Sequence, residues 1–179
     1  MSIASPNYLH DAHIRFALRV GADAVCEKPL VLNPWNLDAL QAIEKETGRK
    51  AHAILQLRLH PALRELKENS AGMTGTKKEI ELIYITSRGR WYFTSWKSDL
   101  NKSGGIATNI GVHFFDMLQW IFRNVQYNIV HLLQPTKAAG YLELKNARVK
   151  WFLSLDYNDL PEAIKKSGKT TYRSLRIAD

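Results

Sequence analysis

The chain has 179 residues, of which 45% are hydrophobic and 23% charged, a composition typical of a packed globular protein rather than a disordered one. Its length allows one ordinary domain or parts of two. No apolar run is close to the length of a membrane span, which is about 20 residues. The N-terminus also lacks the basic segment followed by an apolar segment that is typical of a secretory signal. We therefore expect a cytoplasmic protein with no membrane partner.

The single cysteine excludes further classes of protein, and the distribution of the positive charge argues against a nucleic-acid partner. Cys26 alone forms neither an internal disulfide nor a cysteine-based zinc cluster, and its apolar neighbours predict a buried, inert thiol. We expect no metal site. The formal net charge of +8 would suit a polyanion-binding protein, which is kept as an alternative. The basic residues are spread along the chain without a nucleic-acid-binding module, so we expect no nucleic-acid partner.

The first 59 residues alternate strands and helices. The predicted elements, in chain order, are a strand at 2–5, a turn at Pro6-Asn7, a helix at 8–20 closed by Gly21, a strand at 24–27, a helix from Asn33-Pro34 to Gly48, and a strand at 51–59. This order indicates a parallel sheet with crossover helices. No G-x-G-x-x-G occurs in the chain, although a doubly wound nucleotide-binding domain carries one after its first strand. We therefore expect the second half of such a domain, with its beginning outside the chain.

Strands dominate beyond residue 60. A short helix through about Lys67 and a loop of small and polar residues at 69–75 come first. The predicted elements that follow are strands at 79–87, 127–134, 138–144 and 148–156, with one helix at 106–122. This order indicates an open, mostly antiparallel α+β sheet. We place the domain boundary after residue 59, giving domains 1–59 and 60–179, and expect the second domain to be incomplete at its C-terminus.

One segment places a lysine where α/β folds bind ligands. Glu27-Lys28-Pro29 follows a predicted strand, so Lys28 lies at the carboxyl end of the parallel sheet. The proline favours extended backbone at Lys28, which lets its side chain project from the strand end. The alternative is a solvated turn without function.

A second segment, beginning at Gly104-Gly105, carries a histidine among polar neighbours. Asn109, His113 and Asp116 share one face of the predicted helix because they are four and three residues apart. Either His113 is a core histidine bonded to Asp116, or it is a proton acceptor oriented by its neighbours. The spacing leaves both possibilities open.

Together with Ser5-Pro6-Asn7-Tyr8-Leu9-His10, these two segments resemble the Gfo/Idh/MocA oxidoreductase family in order and spacing, over essentially the whole chain. The resemblance implies the second half of a Rossmann-type parallel sheet, followed by a substrate domain whose open sheet often forms subunit contacts. It also implies NAD as cofactor. The implied cofactor-binding residues are Ser5, Pro6, Asn7, His10, Glu27, Lys28 and Gln56, the last standing where relatives often have Asn.

Within the family, residues 57–61, 86–92 and 95–97 are similar to the bacterial UDP-N-acetylglucosaminuronate 3-dehydrogenases of lipopolysaccharide and O-antigen biosynthesis. Arginines at a strand end suit a carboxylate or diphosphate, and aromatic rings suit sugar or uracil. The implied substrate-binding residues are Arg88, Arg90, Trp91, Tyr92, Trp96, Lys97, Asn109 and His113. The alternative is that this segment packs against a neighbouring subunit. Many family members have Asp at the position of Asn109.

The resemblance implies hydride transfer from carbon 3 of a UDP-sugar acid to NAD. Lys28 and His113 form the implied catalytic pair, with His113 as proton acceptor and Lys28 as its electrostatic partner, although the two roles can be shared. Reoxidation of the cofactor by 2-oxoglutarate and homo-oligomerisation through the open sheet are further expectations. Without the glycine-rich loop, we expect this chain alone to be inactive. The alternatives are an inactive substrate-binding or oligomerisation module of the same family, and a dehydrogenase of another sugar or cyclitol.

Overall fold

The computed structural model of the chain describes residues 1–70 and 76–178. The chain divides into two compact units, Met1–Leu55 with Thr94–Val112 and Gln56–Phe93 with His113–Asp179. The sequence-based domain boundary, a single cut after residue 59, stays a prediction. We describe the two units separately.

The first unit contains a three-stranded parallel sheet in the order β1-β2-β3. Its elements are β1 (Ser2–Ile3), α1 (Asn7–Arg19), β2 (Ala24–Glu27), α2 (Trp35–Thr47) and β3 (Ala51–Ile54), and later in the chain α5 (Leu100–Ser103), with 3-10 and π-helical turns at Trp96–Ser98 and Ala107–Gly111. The predicted parallel sheet with crossover helices is confirmed.

The third strand is shorter than the sequence predicts. The expected strand at 51–59 ends at Ile54, and Gln56–Leu59 form a 3-10 helix instead. The last residue of β3 pairs with Glu27, the last residue of β2. Beyond that point no β2 residue remains to take up the hydrogen bonds of the chain, so the apolar run leaves the sheet.

Glycines end the two long helices of this unit, as predicted. Gly21 follows α1 with φ +81° and donates its N–H to the carbonyl of Leu18 at 3.1 Å. Gly48 caps α2 with φ +68° and donates to the carbonyl of Glu44 at 2.9 Å. Both lie in the left-handed region, which glycine adopts without the strain that a Cβ causes.

The core of the first unit lies between its sheet and its helices. It consists of Ile3, Ile14, Ala17, Leu18, Ala24, Cys26, Val31, Leu40 and Ile43. The predicted burial of Cys26 is confirmed, since its side chain is inaccessible to solvent. Burial, with a smaller contribution from the neighbouring Glu27 carboxylate, raises the pKa of the Cys26 thiol to about 11.

The second unit contains a five-stranded sheet in the order β5-β6-β7-β4-β8. Its elements are α3 (Pro61–Ser70), β4 (Lys78–Thr86), α4 (Arg90–Phe93), α6 (Val112–Phe122), β5 (Val125–Leu133), β6 (Lys137–Leu144), β7 (Ala147–Ser154), α7 (Glu162–Lys166) and β8 (Thr171–Ala178), with a 3-10 turn at Tyr157–Asp159. Among the described strands of this sheet only β4 and β7 pair in parallel, so the expected mostly antiparallel sheet is confirmed.

Three features of this part differ from expectation. The sequence did not predict β8, and α3 continues past Lys67 to Ser70. The predicted helix at 106–122 begins as the π-helix and becomes regular only at Val112. Residues 71–75, where we predicted a loop, lie outside the described residues.

Helix α6 packs its apolar side on one face of the five-stranded sheet. Phe114 contacts Tyr84 of β4 with ring centroids 4.9 Å apart, and Phe115 meets Trp151 of β7 edge-on at 5.1 Å. Its 11 residues are far short of a membrane span. The same holds throughout the described ranges, where no helix is both long and apolar enough to cross a membrane.

The outward face of this sheet has an apolar centre and a charged surround. Phe152 of β7 lies beside Ala139 of β6 and Ile83 of β4 in the strand register. Exposed charges stand on the same face, with ion pairs Arg148–Glu79 at 3.2 Å and Arg176–Glu81 at 3.6 Å.

Candidate active site

Lys28 comes directly after β2 and binds the π-helix of the same unit. Its ammonium nitrogen donates a hydrogen bond to the backbone carbonyl of Asn109 at 2.6 Å. Lys28 is half-buried, so a charged donor meets a carbonyl where water is partly excluded, which strengthens the bond. π-Helical turns are rare and frequently mark functional sites. The structure thus joins the two segments that the sequence singled out, residues 27–29 and 104–116.

Asn7, the first residue of α1, also contacts Asn109. Its amide nitrogen donates to the backbone carbonyl of Ser103 at 3.0 Å and to the side-chain oxygen of Asn109 at 3.2 Å. Asn7 is 5% exposed and Asn109 is 8% exposed, so these bonds are largely shielded from water. Asn109 is therefore held twice, through its backbone by Lys28 and through its side chain by Asn7.

His10 ties together the two loops at this edge of the sheet. Its Nδ1 lies 2.7 Å from the carbonyl oxygen of Pro29, and its Nε2 lies 2.7 Å from that of Ser5. The side chain is 1% exposed. The Ser5 hydroxyl in turn lies 2.9 Å from Nδ1 of His13. Both ring nitrogens of His10 thus face carbonyls of the chain, and this arrangement fixes the segment after β1 against the segment after β2.

In the second unit, the basic and aromatic segment forms a compact group around Tyr92. The guanidinium of Arg88 lies over the Tyr92 ring, 5.8 Å from its centroid. Arg90 and Trp91 open the single turn α4 and are exposed, whereas Tyr92 is buried and meets the Trp91 ring edge-on at 5.8 Å. Nε of Arg88 is buried and finds no hydrogen-bond partner among the described residues.

The remaining predicted site residues are distributed over both units. Trp96 and Lys97 belong to the first unit, with the Lys97 ammonium 5.7 Å from the Trp96 ring. The predicted substrate segment is therefore shared between the units. Gln56 is exposed at the start of its 3-10 helix, and His113 is half-buried at the start of α6.

The sequence reasoning missed an ion pair beside the histidine segment. The carboxylate of Asp116 accepts two hydrogen bonds from Arg58, from Nε at 2.8 Å and from Nη2. These bonds raise the pKa of Arg58. The sequence left open a bond between His113 and Asp116, and in the structure both oxygens of the Asp116 carboxylate accept from Arg58. The signal in the sequence was the arginine of Leu57-Arg58-Leu59-His60-Pro61, a segment that also carries the family resemblance.

Comparison with protein families agrees with this fold. Residues 1–54 match the NAD-binding Rossmann fold of an oxidoreductase family, and residues 71–163 match the C-terminal alpha/beta domain of the same family. A Rossmann-type sheet followed by this second domain defines a two-part oxidoreductase. The chain belongs to the Gfo/Idh/MocA oxidoreductase family, which confirms the resemblance inferred from the sequence.

Individual members of the family with solved structures or assigned names are similar to the chain. The chain is 53% identical to the WlbA (WbpB) dehydrogenase from Thermus thermophilus, with a TM-score of 0.94, over 98% of this chain and 57% of that one. That dehydrogenase was crystallised with NAD and alpha-ketoglutarate, and separately with NAD and UDP-GlcNAcA. The D-glucoside 3-dehydrogenase of Escherichia coli is 29% identical over 129 residues, covering 68% of this chain and 35% of the relative. The chain thus spans little more than half of the Thermus protein.

Proposed function

We propose that the chain belongs to an NAD-dependent dehydrogenase that oxidises UDP-N-acetylglucosaminuronate at carbon 3, in the cytoplasmic synthesis of lipopolysaccharide or O-antigen sugars. One observation carries the proposal. A dehydrogenase 53% identical over 98% of the chain binds both NAD and this nucleotide sugar in crystals. The curated E. coli relative is named as a 3-dehydrogenase of another sugar, which agrees with oxidation at carbon 3.

The residues at the sheet edge fit a dinucleotide. β1 and β2 are neighbours in a parallel sheet, so the segments that follow them leave the same edge, and His10 ties these segments together. This carboxyl edge is where doubly wound folds bind nucleotides. In the proposal Ser5, Pro6, Asn7, His10, Glu27, Lys28 and Gln56 hold or border the cofactor. Bound NAD supplies the acceptor for the hydride that leaves carbon 3.

The protein's own residues handle the proton in this proposal. His113 takes the proton of the hydroxyl at carbon 3. The ordinary pKa of an imidazole lies near cellular pH, so its neutral form is available there as a base. Lys28 donates a hydrogen bond to the same oxygen and stabilises the negative charge that develops there. The bond from Lys28 to the carbonyl of Asn109 supports this role, because it holds the side chain in one direction at the carboxyl end of β2.

The group around Tyr92 supports an anionic sugar. Arg88 and Arg90 provide forked donors for a carboxylate or a diphosphate, and the Trp91 ring, 55% exposed, offers a flat surface. Stacking over Tyr92 restricts the guanidinium of Arg88 before any ligand arrives. In the proposal Trp96, Lys97 and Asn109 complete the substrate contacts.

The proposed partner at the outward face of the second sheet is another copy of the chain. An apolar centre of Phe152, Ala139 and Ile83 surrounded by charges has the anatomy of a protein interface. The surround carries both signs, as in the pairs Arg148–Glu79 and Arg176–Glu81, so an identical face can complement it. Sedimentation velocity should show an oligomer that Phe152→Glu dissociates. A wild-type monomer at high concentration would refute this part.

The activity is tested in a chimera in which the remaining segments of the Thermus dehydrogenase flank residues 1–179. We expect NADH to form with UDP-N-acetylglucosaminuronate, and deuterium placed at carbon 3 of the sugar to appear in the reduced cofactor. UDP-N-acetylglucosamine, which lacks the carboxylate, and inositol serve as matched controls. Added 2-oxoglutarate should be reduced as it reoxidises the cofactor. Equal turnover of either control, or deuterium retained in the sugar, would contradict the proposal.

A further inference from the structure

The orientation of the Asn7 side chain is fixed by its partner at Ser103. A backbone carbonyl oxygen only accepts hydrogen bonds, so the atom of Asn7 that lies 3.0 Å from it must be the amide nitrogen. The carbonyl end of the Asn7 amide therefore points away from Ser103. This assignment follows from the acceptor alone and holds whatever the neighbouring residues do.

The same nitrogen then fixes the side chain of Asn109. The Asn109 atom lying 3.2 Å from the Asn7 nitrogen must accept, so it is Oδ1. Nδ2 of Asn109 consequently points away from Asn7. No hydrogen bond takes up this nitrogen within residues 1–70 and 76–178. The Asn109 side chain thus presents two N–H donors, while its Oδ1 is engaged by Asn7.

The backbone of Asn109 is held as well, which resists a shift of the donor with a ligand. Lys28 binds the Asn109 carbonyl at 2.6 Å, and the residue is 8% exposed. Reversing the amide would place its nitrogen against the nitrogen of Asn7, leaving two donors face to face. A buried polar contact of this kind costs the full desolvation of the groups involved.

We propose that Asn7 is a positioning residue that holds Asn109 as a hydrogen-bond donor for an acceptor-only oxygen of the sugar substrate, a carboxylate or a carbonyl. The proposal rests on the proposed function, because a UDP-sugar acid carries both kinds of oxygen. A donor-only amide binds such oxygens and gains nothing from the proton of a hydroxyl. An aspartate at position 109 would present an acceptor in the same place and repel a carboxylate.

Hydrogen exchange of the side-chain amides tests the orientation in the chain itself, without cofactor or turnover. In the ¹⁵N-labelled protein, we expect slow exchange for the Asn7 amide protons and faster exchange for those of Asn109. Asn7→Asp replaces the donor by an acceptor of the same shape, so the Asn109 amide should reverse and its protons should become slow. Slow Asn109 protons in the wild-type chain, or no change in the variant, would overturn the proposal.

A double-mutant cycle in the chimera tests the link to the substrate. Asn7→Asp should lower kcat/KM for the sugar acid about tenfold, the scale of one hydrogen bond, mainly through KM. At saturating NAD, the same change in an Asn109→Ala background should alter KM for the sugar acid less than about twofold, because the group that Asn7 positions is gone. Additive effects would mean that Asn7 acts on folding or cofactor alone, and would overturn the proposal. A wild-type chimera inactive on the sugar acid would refute the proposed function, while the exchange measurement still decides the orientation.

Discussion

Replacing Lys28 by methionine tests whether the strand-end lysine takes part in the reaction or only braces the π-helix. Methionine keeps most of the length of the side chain and removes the ammonium group. In the structure this group donates to the carbonyl of Asn109 at 2.6 Å, so Lys28→Met always loses that bond. The proposed reaction loses in addition the donor that stabilises developing charge on the sugar oxygen. Loss of the bond to Asn109 lowers the stability of the fold, whereas loss of the donor to the sugar oxygen lowers kcat.

The bond to Asn109 sets the expected loss of stability. Hydrogen bonds from charged groups contribute about 1.5–3 kcal/mol, and the half-buried position of Lys28 points to the lower end of that range. A loss of about 1.5 kcal/mol lowers Tm by about 2–3 °C in the chimera, which is considerably longer than this chain. Loss of the donor in the transition state should lower kcat about 100-fold or more, equivalent to about 2.7 kcal/mol of barrier.

The assay measures NADH formation and thermal melting of the same chimera, with Lys45→Met as the matched control because Lys45 is exposed on α2. The control should leave both quantities unchanged. Lys28→Met should lower kcat in protein that is still fully folded at the assay temperature. A variant that melts early yet keeps turnover within about threefold of wild type would show that Lys28 is only structural, and would refute the reasoning.

Three further predictions address other residues. His113→Ala should lower turnover about 100-fold and spare sugar binding measured by calorimetry, whereas a core histidine would give a lower Tm with near-normal turnover. Arg88→Ala should raise KM for the sugar acid about tenfold and largely spare kcat, and an unchanged KM would remove Arg88 from the substrate site. The raised pKa of the buried Cys26 thiol, about 11, predicts slow reaction with Ellman's reagent until the protein unfolds. Because the unfolded thiol ionises near pH 8.5, the folded state should lose stability as pH rises from there towards about 11, and Cys26→Ala should weaken this dependence in urea titrations.

Local signals were sufficient to predict most of the first unit. Gly21 and Gly48 end helices because of their own backbone freedom, and β2 has the predicted bounds of Ala24–Glu27. The position of Lys28 also followed locally, since the strand ends one residue before it. The predicted end of the third strand was wrong because a strand continues only as far as its neighbour extends. Here β3 ends where β2 ends.

The contacts around Asn109 were beyond sequence reasoning. Asn7 and Asn109 are 102 residues apart, and no pattern in either segment shows that one amide orients the other. The π-helix was also hidden, because residues 106–122 have the ordinary apolar spacing of an α-helix. The shared face expected for Asn109, His113 and Asp116 assumed that regular spacing. Asp116 forms an ion pair with Arg58, which is 58 residues earlier in the chain, too far for a local pattern to indicate this contact.

The parallel pairing of β4 with β7 has a consequence for the order in which the second sheet assembles. Strands β5, β6 and β7 follow one another through short turns, whereas β4 meets β7 through pairs such as Glu79 and Arg148, 69 residues apart. Closing so long a loop costs more chain entropy than forming the consecutive hairpins, so we expect the hairpins to form first. On the ribosome, β4 emerges well before β7 has been translated. Until β7 is synthesised, the apolar segment Ile80-Glu81-Leu82-Ile83-Tyr84-Ile85 has no strand to pair with on that side. We expect the nascent chain to need a chaperone most during this time.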